Sequence, residues 1–565
     1  MLRKKLFSIL CPFFILGLTL NVERITLPVS PLSAYAATSG VSIIDGEDWS
    51  LPSWVTSWSP YGGIYWQYPS GMSYVTNPNL DVFAANFNWK DIHIKDGTYD
   101  WSTIDNKLTQ IAGAGKKGML IWEHRRVENI PQWVIDKYPK ATVYNDWLFA
   151  YWEPGPASEL KKFAQALVSR YRNDNRVAYS YAYYEPWRPY EALKNAGKTS
   201  EINNLLVPLH LDLLRIFRDN LGAAKTIASD WWSTGNPMSA HDTYAINNSL
   251  GLRNGGGHEL DREANNYPHL DIRWDKRTGY QKAYSQPTKF YGTEVEEIED
   301  YDYQRLILLQ NLHLRFTWFT FSKTTYVAGP NTNWGILRDY VRKVAGYPSE
   351  KSPDAYSVLY EMYDWANRPM KNFERFLYQR EVITGGKTSP VELNKWERVL
   401  FRTNYVDRED GYTARSTDIA TGNNYIYFGL DDTFRYGGSN NVAIKVYFKD
   451  VGTAEWRIEY EAVDGNKYKS TQSVTNTNSG KWKTATFTIN DAKFANGQGF
   501  ADGIDSNSDG DYSDLGEKDG LDFRIYNGGS QNIIVGLVRV LRLKDPSGDS
   551  KTNEPLPPQG LKVLN

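Results

Sequence analysis

Short apolar or aromatic runs alternate with helical patterns between residues 40 and about 345. Apolar residues in 157–174 recur at Leu160, Ala164, Leu167 and Val168, which is the spacing of one helix face. Residues 81–87 instead carry a short β-branched and aromatic run that is typical of a strand. Similar patterns predict further strands at 117–123, 177–185, 225–232, 288–296 and 316–322, and helices at 102–117, 204–222 and 303–315.

This alternation predicts parallel strands that are joined by helical crossovers. Over roughly 300 residues the leading form is an α/β fold, the eight-fold (β/α) TIM barrel. A doubly wound sheet is the alternative, and it normally has a glycine-rich phosphate turn after its first strand. The triple glycine at 255–257 lies too far along the chain to be that turn. We therefore expect a catalytic barrel over residues 37–350.

The pattern changes near residue 397, where helical periodicity ends and short alternating strands begin. These strands, separated by Gly, Asn, Asp and Ser turns, predict an antiparallel, jelly-roll-like β-sandwich over 397–544. We expect this all-β domain to pack on the barrel or to bind glycan. Residues 351–396 are predicted to be helices that connect the two domains. Residues 545–565, rich in proline, glycine and charge, predict a linker that leads toward a further module.

The N-terminus has a basic start, an apolar run and the small-residue site Ala34-Tyr35-Ala36, the parts of a signal peptide at 1–36. Cleavage after Ala36 would remove Cys11, the one cysteine of the chain. Disulfides, thiol catalysis and cysteine-ligated zinc are then excluded. No later stretch reaches the 18 apolar residues that suggest a membrane span. We expect a secreted bacterial monomer that has no membrane contact after cleavage.

Net charge and aromatic content indicate which classes of partner to expect. The 64 Lys and Arg residues against 66 Asp and Glu leave a net charge of −2, which argues against nucleic acid as a partner. The 20 Trp and 39 Tyr residues supply many rings with an apolar face and a polar tip. Sugar rings offer matching C–H faces and hydroxyl edges, so a polysaccharide or oligosaccharide is the expected substrate.

Two glutamates stand where predicted strands end. The strand at 177–185 runs directly into Glu185, Pro186 and Trp187, and the strand at 288–296 contains Glu294. In a parallel barrel the chemistry lies at the C-terminal ends of the strands. Both carboxylates are therefore expected on the catalytic rim. Glu296 competes with Glu294, because alternation places the two on the same face.

A strand that ends in Glu-Pro-Trp, a later one that ends in Thr-Glu and Trp318 in the last strand together resemble clan A glycoside hydrolases. The segment 87–121 also resembles their second βα unit, and the resemblance covers about residues 80–330. It implies a retaining hydrolase of β-glycosidic bonds, with Glu185 as acid/base and Glu294 as nucleophile. Tyr184 stands where most of these families have asparagine.

Glycoside cleavage needs two carboxyl groups, and Glu185 and Glu294 could supply them. One carboxylic acid protonates the leaving oxygen and one carboxylate attacks the anomeric carbon, with the two about 5–5.5 Å apart in retaining enzymes. An acid of this kind needs a raised pKa. Desolvation by Tyr183, Tyr184 and Trp187 is predicted to raise the pKa of Glu185.

Aromatic and basic residues crowd the predicted rim loops. The arginines could bind carboxylate or sulfate groups of an anionic polysaccharide, or could pair with nearby acidic residues of the chain. The predicted substrate-binding residues are Trp66, Trp89, Glu123, His124, Arg125, Tyr184, Trp187, Trp231, Trp232, His258 and Trp318.

Metal-binding patterns are weak. The histidines show no HExxH or paired spacing, so a zinc site is not expected. Residues 505–511 match the first half of a calcium loop, although Gly516 stands where that loop has glutamate. A structural calcium ion and a solvated acidic turn are the two interpretations, and no cofactor is expected for catalysis. The candidate ligands are Asp505, Asn507, Asp509 and Asp511.

Two other functions remain open at this stage. A barrel without catalytic activity could bind carbohydrate alone. A polysaccharide lyase, which eliminates rather than hydrolyses, is also compatible with the clustered Tyr, His and Arg residues. The leading prediction is a secreted retaining glycosidase.

Overall fold

The computed structural model describes most of the chain after residue 39, and structural statements concern those residues only. The predicted signal peptide and C-terminal linker lie outside them. The described residues belong to one compact unit that begins at Thr38. They are 40–59, 62–66, 69–141, 143–144, 147–229, 237–254, 291–294, 301–313, 316–320, 327–359, 361–363, 369–370, 372–399, 406–499 and 520–544.

Eight parallel strands of the described residues close into a barrel, in the order in which they occur along the chain. The eighth strand pairs with the first, Trp318 opposite Gly63, which closes the ring. The closed barrel is the predicted form, and the doubly wound alternative is wrong. Numbered one to eight, the barrel strands are Gly63–Trp66, Val82–Asn88, Lys117–Glu123, Val177–Tyr181, Thr226–Ser229, Gly251–Asn254, Tyr291–Glu294 and Trp318–Thr320.

Apolar side chains fill the inside of the barrel. Because successive strand residues point to opposite faces, alternate positions such as Met119 and Ile121 enter the same cluster. The Trp318 ring takes up the space beside Gly292, where a Cβ atom would lie 1.5 Å from Trp318 Cε2. Glycine is required at that point of the seventh strand. The full cluster is Val82, Ala84, Met119, Ile121, Tyr181, Ile227 and Trp318.

Helices of the crossovers cover the outside of the barrel. The helix Val207–Leu221, which precedes the fifth barrel strand, is capped by Gly222, whose φ of 96° is easy only for glycine. Among the residues described, no helix is long and apolar enough to cross a lipid bilayer. The helices are Trp89–Ile92, Ser102–Gly113, Gln132–Lys137, Pro154–Tyr171, Trp187–Asn195, Thr199–Glu201, Val207–Leu221, Ser239–Asn247, Tyr301–His313 and Asn333–Val344.

Two antiparallel sheets follow the barrel and share one apolar core, in which Ile444 and Val538 of one sheet meet Phe428 and Ile525 of the other. The larger sheet contains Val41–Asp45, Asp354–Val358, Glu361–Tyr363, Pro369–Met370, Phe373–Arg375, Ser389–Val399, Val406–Ser416, Asn440–Lys449, Trp482–Ala492 and Ile534–Arg542. The smaller sheet contains Leu377–Arg380, Tyr425–Leu430, Glu455–Tyr460, Lys469–Ser470, Val474–Thr475 and Phe523–Asn527. Val143–Tyr144 and Leu148–Phe149 form a separate hairpin beside the barrel.

Two predicted boundaries need correction. The strand Val41–Asp45, expected in the barrel domain, pairs with residues 483–487 of the larger sheet. Residues 351–396, expected to be helical, form strands of the two sheets. The strand Asp354–Val358 is buried along its whole length, with Ala355 in the sandwich core and Tyr356 in the barrel core. A strand buried on both faces shows no period-two alternation, so its pattern resembles that of a buried helix.

A buried charge cluster joins the barrel to the larger sheet. Asp354 accepts hydrogen bonds from Arg375 Nη1 at 3.1 Å, from Arg539 Nη2 at 2.8 Å and from the Tyr340 hydroxyl at 2.9 Å. Tyr340 and Val344 lie on a barrel helix, and Arg375 Nη2 also donates to the Val344 carbonyl at 2.7 Å. One carboxylate therefore pairs with two buried guanidinium groups where the two domains meet.

Replacing Asp354 with alanine should lower the free energy of unfolding by about 3–5 kcal/mol, because two buried arginines lose their counter-charge. The control is Asp339→Ala, which removes an exposed pair with Lys343 at 2.9 Å and should cost at most about 1 kcal/mol. Urea denaturation of both variants measures the difference. Equal losses would mean that the Asp354 cluster contributes no more than a surface ion pair.

Candidate functional site

The carboxyl ends of the barrel strands bring acidic and basic residues to one rim. Glu123 ends the third strand, and Glu185 follows the fourth strand by four residues. Arg253 lies in the sixth strand, and Glu294 ends the seventh, with its backbone opposite Thr320 of the eighth. The predicted placement of Glu185 after the fourth strand and of Glu294 at the end of the seventh agrees with the strand count of the barrel.

Glu185 lies in a strained turn. Its φ is 42°, in the left-handed region that side chains other than glycine seldom adopt. Pro186 follows it and then the helix Trp187–Asn195 begins, so the chain turns sharply at the end of the fourth strand. Such a conformation costs on the order of 1–3 kcal/mol and persists only where neighbouring contacts hold it.

Arg125 supplies those contacts. Its Nη1 donates to Glu185 Oε2 at 2.7 Å and to the Glu185 backbone carbonyl at 3.2 Å. Its Nε donates to Glu123 Oε1 at 2.9 Å, and its Nη2 donates to Glu123 Oε2. The Arg125 side chain is only 3% exposed, whereas those of Glu123 and Glu185 are 18% and 25% exposed. One buried guanidinium thus links the third-strand and fourth-strand carboxylates.

The arginines set the ionisation of Glu185. Burial alone would raise its pKa, but the positive charges of Arg125 and Arg253 outweigh burial and hold the pKa below its ordinary value of 4.5. The expected rise in the pKa of Glu185 is therefore wrong for the ligand-free protein. Burial does act in the expected direction, but the expectation took no account of the charges of the two arginines.

Tyr184 lies close to both arginines. The Arg125 guanidinium carbon is 5.1 Å from the centre of the Tyr184 ring, and that of Arg253 is 5.8 Å from it. Tyr184 also stacks on Tyr181 with ring centres 5.9 Å apart. Arg253 is buried and donates to Ser229 Oγ at 3.2 Å. Arg253 belongs to the basic residues expected near the rim, but it was not among the predicted substrate-binding residues, and the strand Gly251–Asn254 that carries it was not predicted.

Three predicted binding residues lie in the packed interior instead. Trp89 is fully buried and donates from Nε1 to His93 Nδ1 at 3.1 Å. His124 is fully buried between Trp122 and Tyr151, and Trp318 fills the inside of the barrel. These rings offer no exposed face to a ligand. Sequence position placed them near strand ends, but side-chain direction sent them into the core.

The remaining predicted residues divide into three groups. Trp187 is half-buried at the start of its helix, with the Arg188 guanidinium 3.9 Å from its ring centre. Trp66 and Glu294 end barrel strands, but their side chains lie outside what the structure describes. Among the described residues, no group of three or more His, Cys, Asp or Glu could hold a metal ion. Wholly outside the described residues lie Trp231, Trp232, His258, Asp505, Asn507, Asp509 and Asp511.

A cluster of buried histidines packs against Tyr183, just after the fourth strand. Tyr183 stacks on His210 at 4.6 Å and packs against His241 at 5.3 Å between ring centres. His210 Nε2 shares a hydrogen bond of 2.9 Å with the Tyr151 hydroxyl, and Tyr151 packs edge-on against His124. Burial lowers the pKa of His124 to about 4 and that of His241 to about 3, and it lowers the pKa of His210 well below 6.5. All three are therefore neutral in the folded protein at pH 7.

No family model and no curated protein matches the chain. Solved structures that match include β-galactosidases from Rahnella sp. R3, with 10% identity and a TM-score of 0.36, and from Bacillus circulans sp. alkalophilus, with 12% and 0.35. The two matches cover 52% and 50% of this chain and 57% and 55% of those chains. This chain thus spans slightly more than half the length of these β-galactosidases.

Xylanase 10B from Thermotoga petrophila RKU-1 matches with 10% identity and a TM-score of 0.28, over 46% of this chain and 82% of that chain. The three are glycoside hydrolases, the class that the sequence resemblance named.

The buried histidines predict acid lability. Unfolded histidines take up protons below pH 6.5, whereas burial lowers the pKa of folded His124 to about 4 and that of folded His241 to about 3, so the free energy of unfolding falls as the pH drops below 6.5. Each histidine contributes about 1.4 kcal/mol per pH unit at most. Urea denaturation between pH 7 and 4.5 gives the free energy of unfolding at each pH. Its slope against pH should be shallower for His241→Phe than for the wild type. Tyr151→Phe, which removes only a hydroxyl, should keep the wild-type slope, and an unchanged slope for His241→Phe would assign the lability to other groups.

Proposed function

We propose that the protein is a secreted retaining glycoside hydrolase that cleaves β-glycosidic bonds of a polysaccharide or oligosaccharide. Glu185 is the acid/base and Glu294 is the nucleophile. The observation that carries the proposal is the position of the two glutamates, at the carboxyl ends of the fourth and seventh strands of a closed parallel barrel. The strained turn at Glu185 adds support, because backbone strain of this kind concentrates at functional sites.

In the first step Glu185 protonates the leaving oxygen while Glu294 attacks the anomeric carbon, which forms a glycosyl-enzyme. In the second step the Glu185 carboxylate takes a proton from water, and that water displaces Glu294. The lowered pKa of Glu185 suits the second step, which needs an ionised base. The first step needs the protonated form, which becomes more abundant at acid pH. We therefore expect turnover to rise as the pH falls below neutral, until unfolding intervenes.

The arrangement of Arg125 bears on the substrate. Its guanidinium group already pairs with Glu123 and Glu185, so it gives no reason to expect an anionic sugar. Tyr184 and Trp187, both half-buried at the rim, are the described aromatic candidates for contact with a sugar ring. Catalysis in this scheme uses no cofactor, and the calcium ion proposed at 505–511 would have a structural role only.

The direct test is to incubate the protein with plant, algal and bacterial polysaccharides and to identify the products by mass. Saturated products with one added water per cut would support hydrolysis. Unsaturated products that absorb in the ultraviolet would indicate a lyase. Binding without any product would indicate a carbohydrate-binding barrel.

Glu294→Gln should abolish hydrolysis while folding and glycan binding stay close to wild type. The nucleophile is needed in both chemical steps, so turnover should fall by several orders of magnitude, within the range of about 10⁴ or more seen when a covalent nucleophile is removed. Glu296→Gln is the matched control and should keep wild-type turnover. If the two results are exchanged, Glu296 is the nucleophile and the assignment of Glu294 is wrong.

Glu185→Ala should separate the two steps. With a substrate whose leaving group needs no protonation, the glycosyl-enzyme should still form, and it should accumulate because the second step lacks its base. Azide needs no base, so it should restore turnover and give a β-glycosyl azide. Proton nuclear magnetic resonance of the fresh products reads the anomer. Initial release of the α anomer by the wild type would indicate inversion and a different pair of carboxylates.

A further inference from the structure

The Glu185 turn is held from one side by a single nitrogen. Arg125 Nη1 donates to both the backbone carbonyl and the carboxylate of Glu185, at 3.2 Å and 2.7 Å. The first contact fixes the peptide that follows a residue with a φ of 42°, and the second fixes the side chain on that strained backbone. Conformation of the turn and direction of the carboxylate are therefore set by the same group.

Arg125 is itself fixed from the opposite side. Glu123 accepts hydrogen bonds from Arg125 Nε at 2.9 Å and from Arg125 Nη2, so the guanidinium plane cannot rotate freely. Glu123 in turn accepts the backbone N–H groups of His124 and Arg125 at 3.0 Å and 2.9 Å. The end of the third strand thus forms a rigid support for the turn after the fourth strand.

We infer that Arg125 is a positioning residue, which holds the Glu185 turn and carboxylate in the conformation used for catalysis. The inference rests on the proposed function, in which Glu185 is the acid/base. It differs from the sequence prediction that Arg125 binds substrate, because each of its three side-chain nitrogens already donates to a carboxylate. Lysine cannot replace it, since an ammonium group is a point charge without the planar fork that reaches both glutamates at once.

Arg125 also acts on the charge of Glu185. Among the described residues, the charged groups with the largest effect on this carboxyl are Arg125, just after the third strand, Arg253 from the sixth strand and Glu123 from the end of the third. Arg125 and Arg253 favour the ionised form, and Glu123 opposes it. Removal of Arg125 should therefore raise the pKa of Glu185, which sets the alkaline limit of kcat/KM if this residue is the acid.

The experiment compares Arg125→Lys and Arg125→Met with the wild type, using the substrate identified by the product screen. Both variants should lose kcat by about 100-fold, with KM changed little, because a misplaced catalytic group costs about that much. The alkaline limb of kcat/KM should move up by about 1–3 pH units in Arg125→Met, where the charge is lost, and should stay near the wild-type position in Arg125→Lys.

Arg176→Met is the matched control. Arg176 also bridges two carboxylates, Asp174 at 2.7 Å and Asp105 at 3.3 Å, but it precedes the fourth strand at the opposite end of the barrel. Its loss should leave kcat and the pH limb unchanged. If Arg125→Met does not fold, Arg125→Lys still tests the positioning role. The expected result is a loss of kcat with the alkaline limb of kcat/KM unchanged.

Several results would overturn the inference. A raised KM with wild-type kcat in the Arg125 variants would make Arg125 a substrate-binding residue, and wild-type values throughout would leave it no part in the reaction. Failure of the proposed function is separately visible, because Glu185→Ala would then have no effect on turnover. In that case the effect of Arg125 on Glu185 can still be measured from the ¹³C resonances of labelled glutamate carboxyls. The Glu185 resonance is assigned by its absence in Glu185→Gln. An unchanged Glu185 titration in Arg125→Met would refute it.

Discussion

Closing eight parallel strands into a barrel brings the carboxyl ends of strands that are distant in sequence to one rim. Glu123, Glu185, Arg253 and Glu294 reach that rim from four different strands. Their backbone positions are set by strand register, which the packed interior around Trp318 and Gly292 fixes. Several charges that are partly buried at one rim are stable only if each has a partner of opposite charge. This requirement determines how the side chains of the site pair.

The same requirement recurs where the barrel meets the larger sheet. Asp354 is paired with two buried arginines there, as Arg125 is paired with two glutamates at the rim. In both places one ion of one sign is shared by two of the other, and the geometry of three groups is fixed together. At the interface this arrangement joins domains. At the rim it holds a strained backbone that would otherwise relax.

Periodicity was sufficient to predict the barrel form, because six of its strands carry clear patterns, but it did not predict the strands Gly63–Trp66 and Gly251–Asn254. It failed at 351–396, where a strand such as Asp354–Val358 is buried on both faces and loses its alternation. For the site, strand ends indicated Glu185, and the pairing of Glu123 with Arg125 was an open alternative. Full burial of Trp89 and His124 could not be predicted, because strand ends fix where a residue lies and not where its side chain points.

The charges at the rim and the histidines behind it place opposing demands on pH. In the proposed mechanism Glu185 must be protonated to act as the acid, and the charges of two arginines lower its pKa, which restricts that form to lower pH. His210 and His241 must stay neutral for Tyr183, two residues before Glu185, to remain packed, and low pH favours the unfolded chain in which they are charged. A substrate that displaces water at the rim would relieve the conflict, since desolvation raises the pKa of Glu185 and leaves the buried histidines untouched. Binding energy, rather than acidity of the medium, would then supply the proton at the required place.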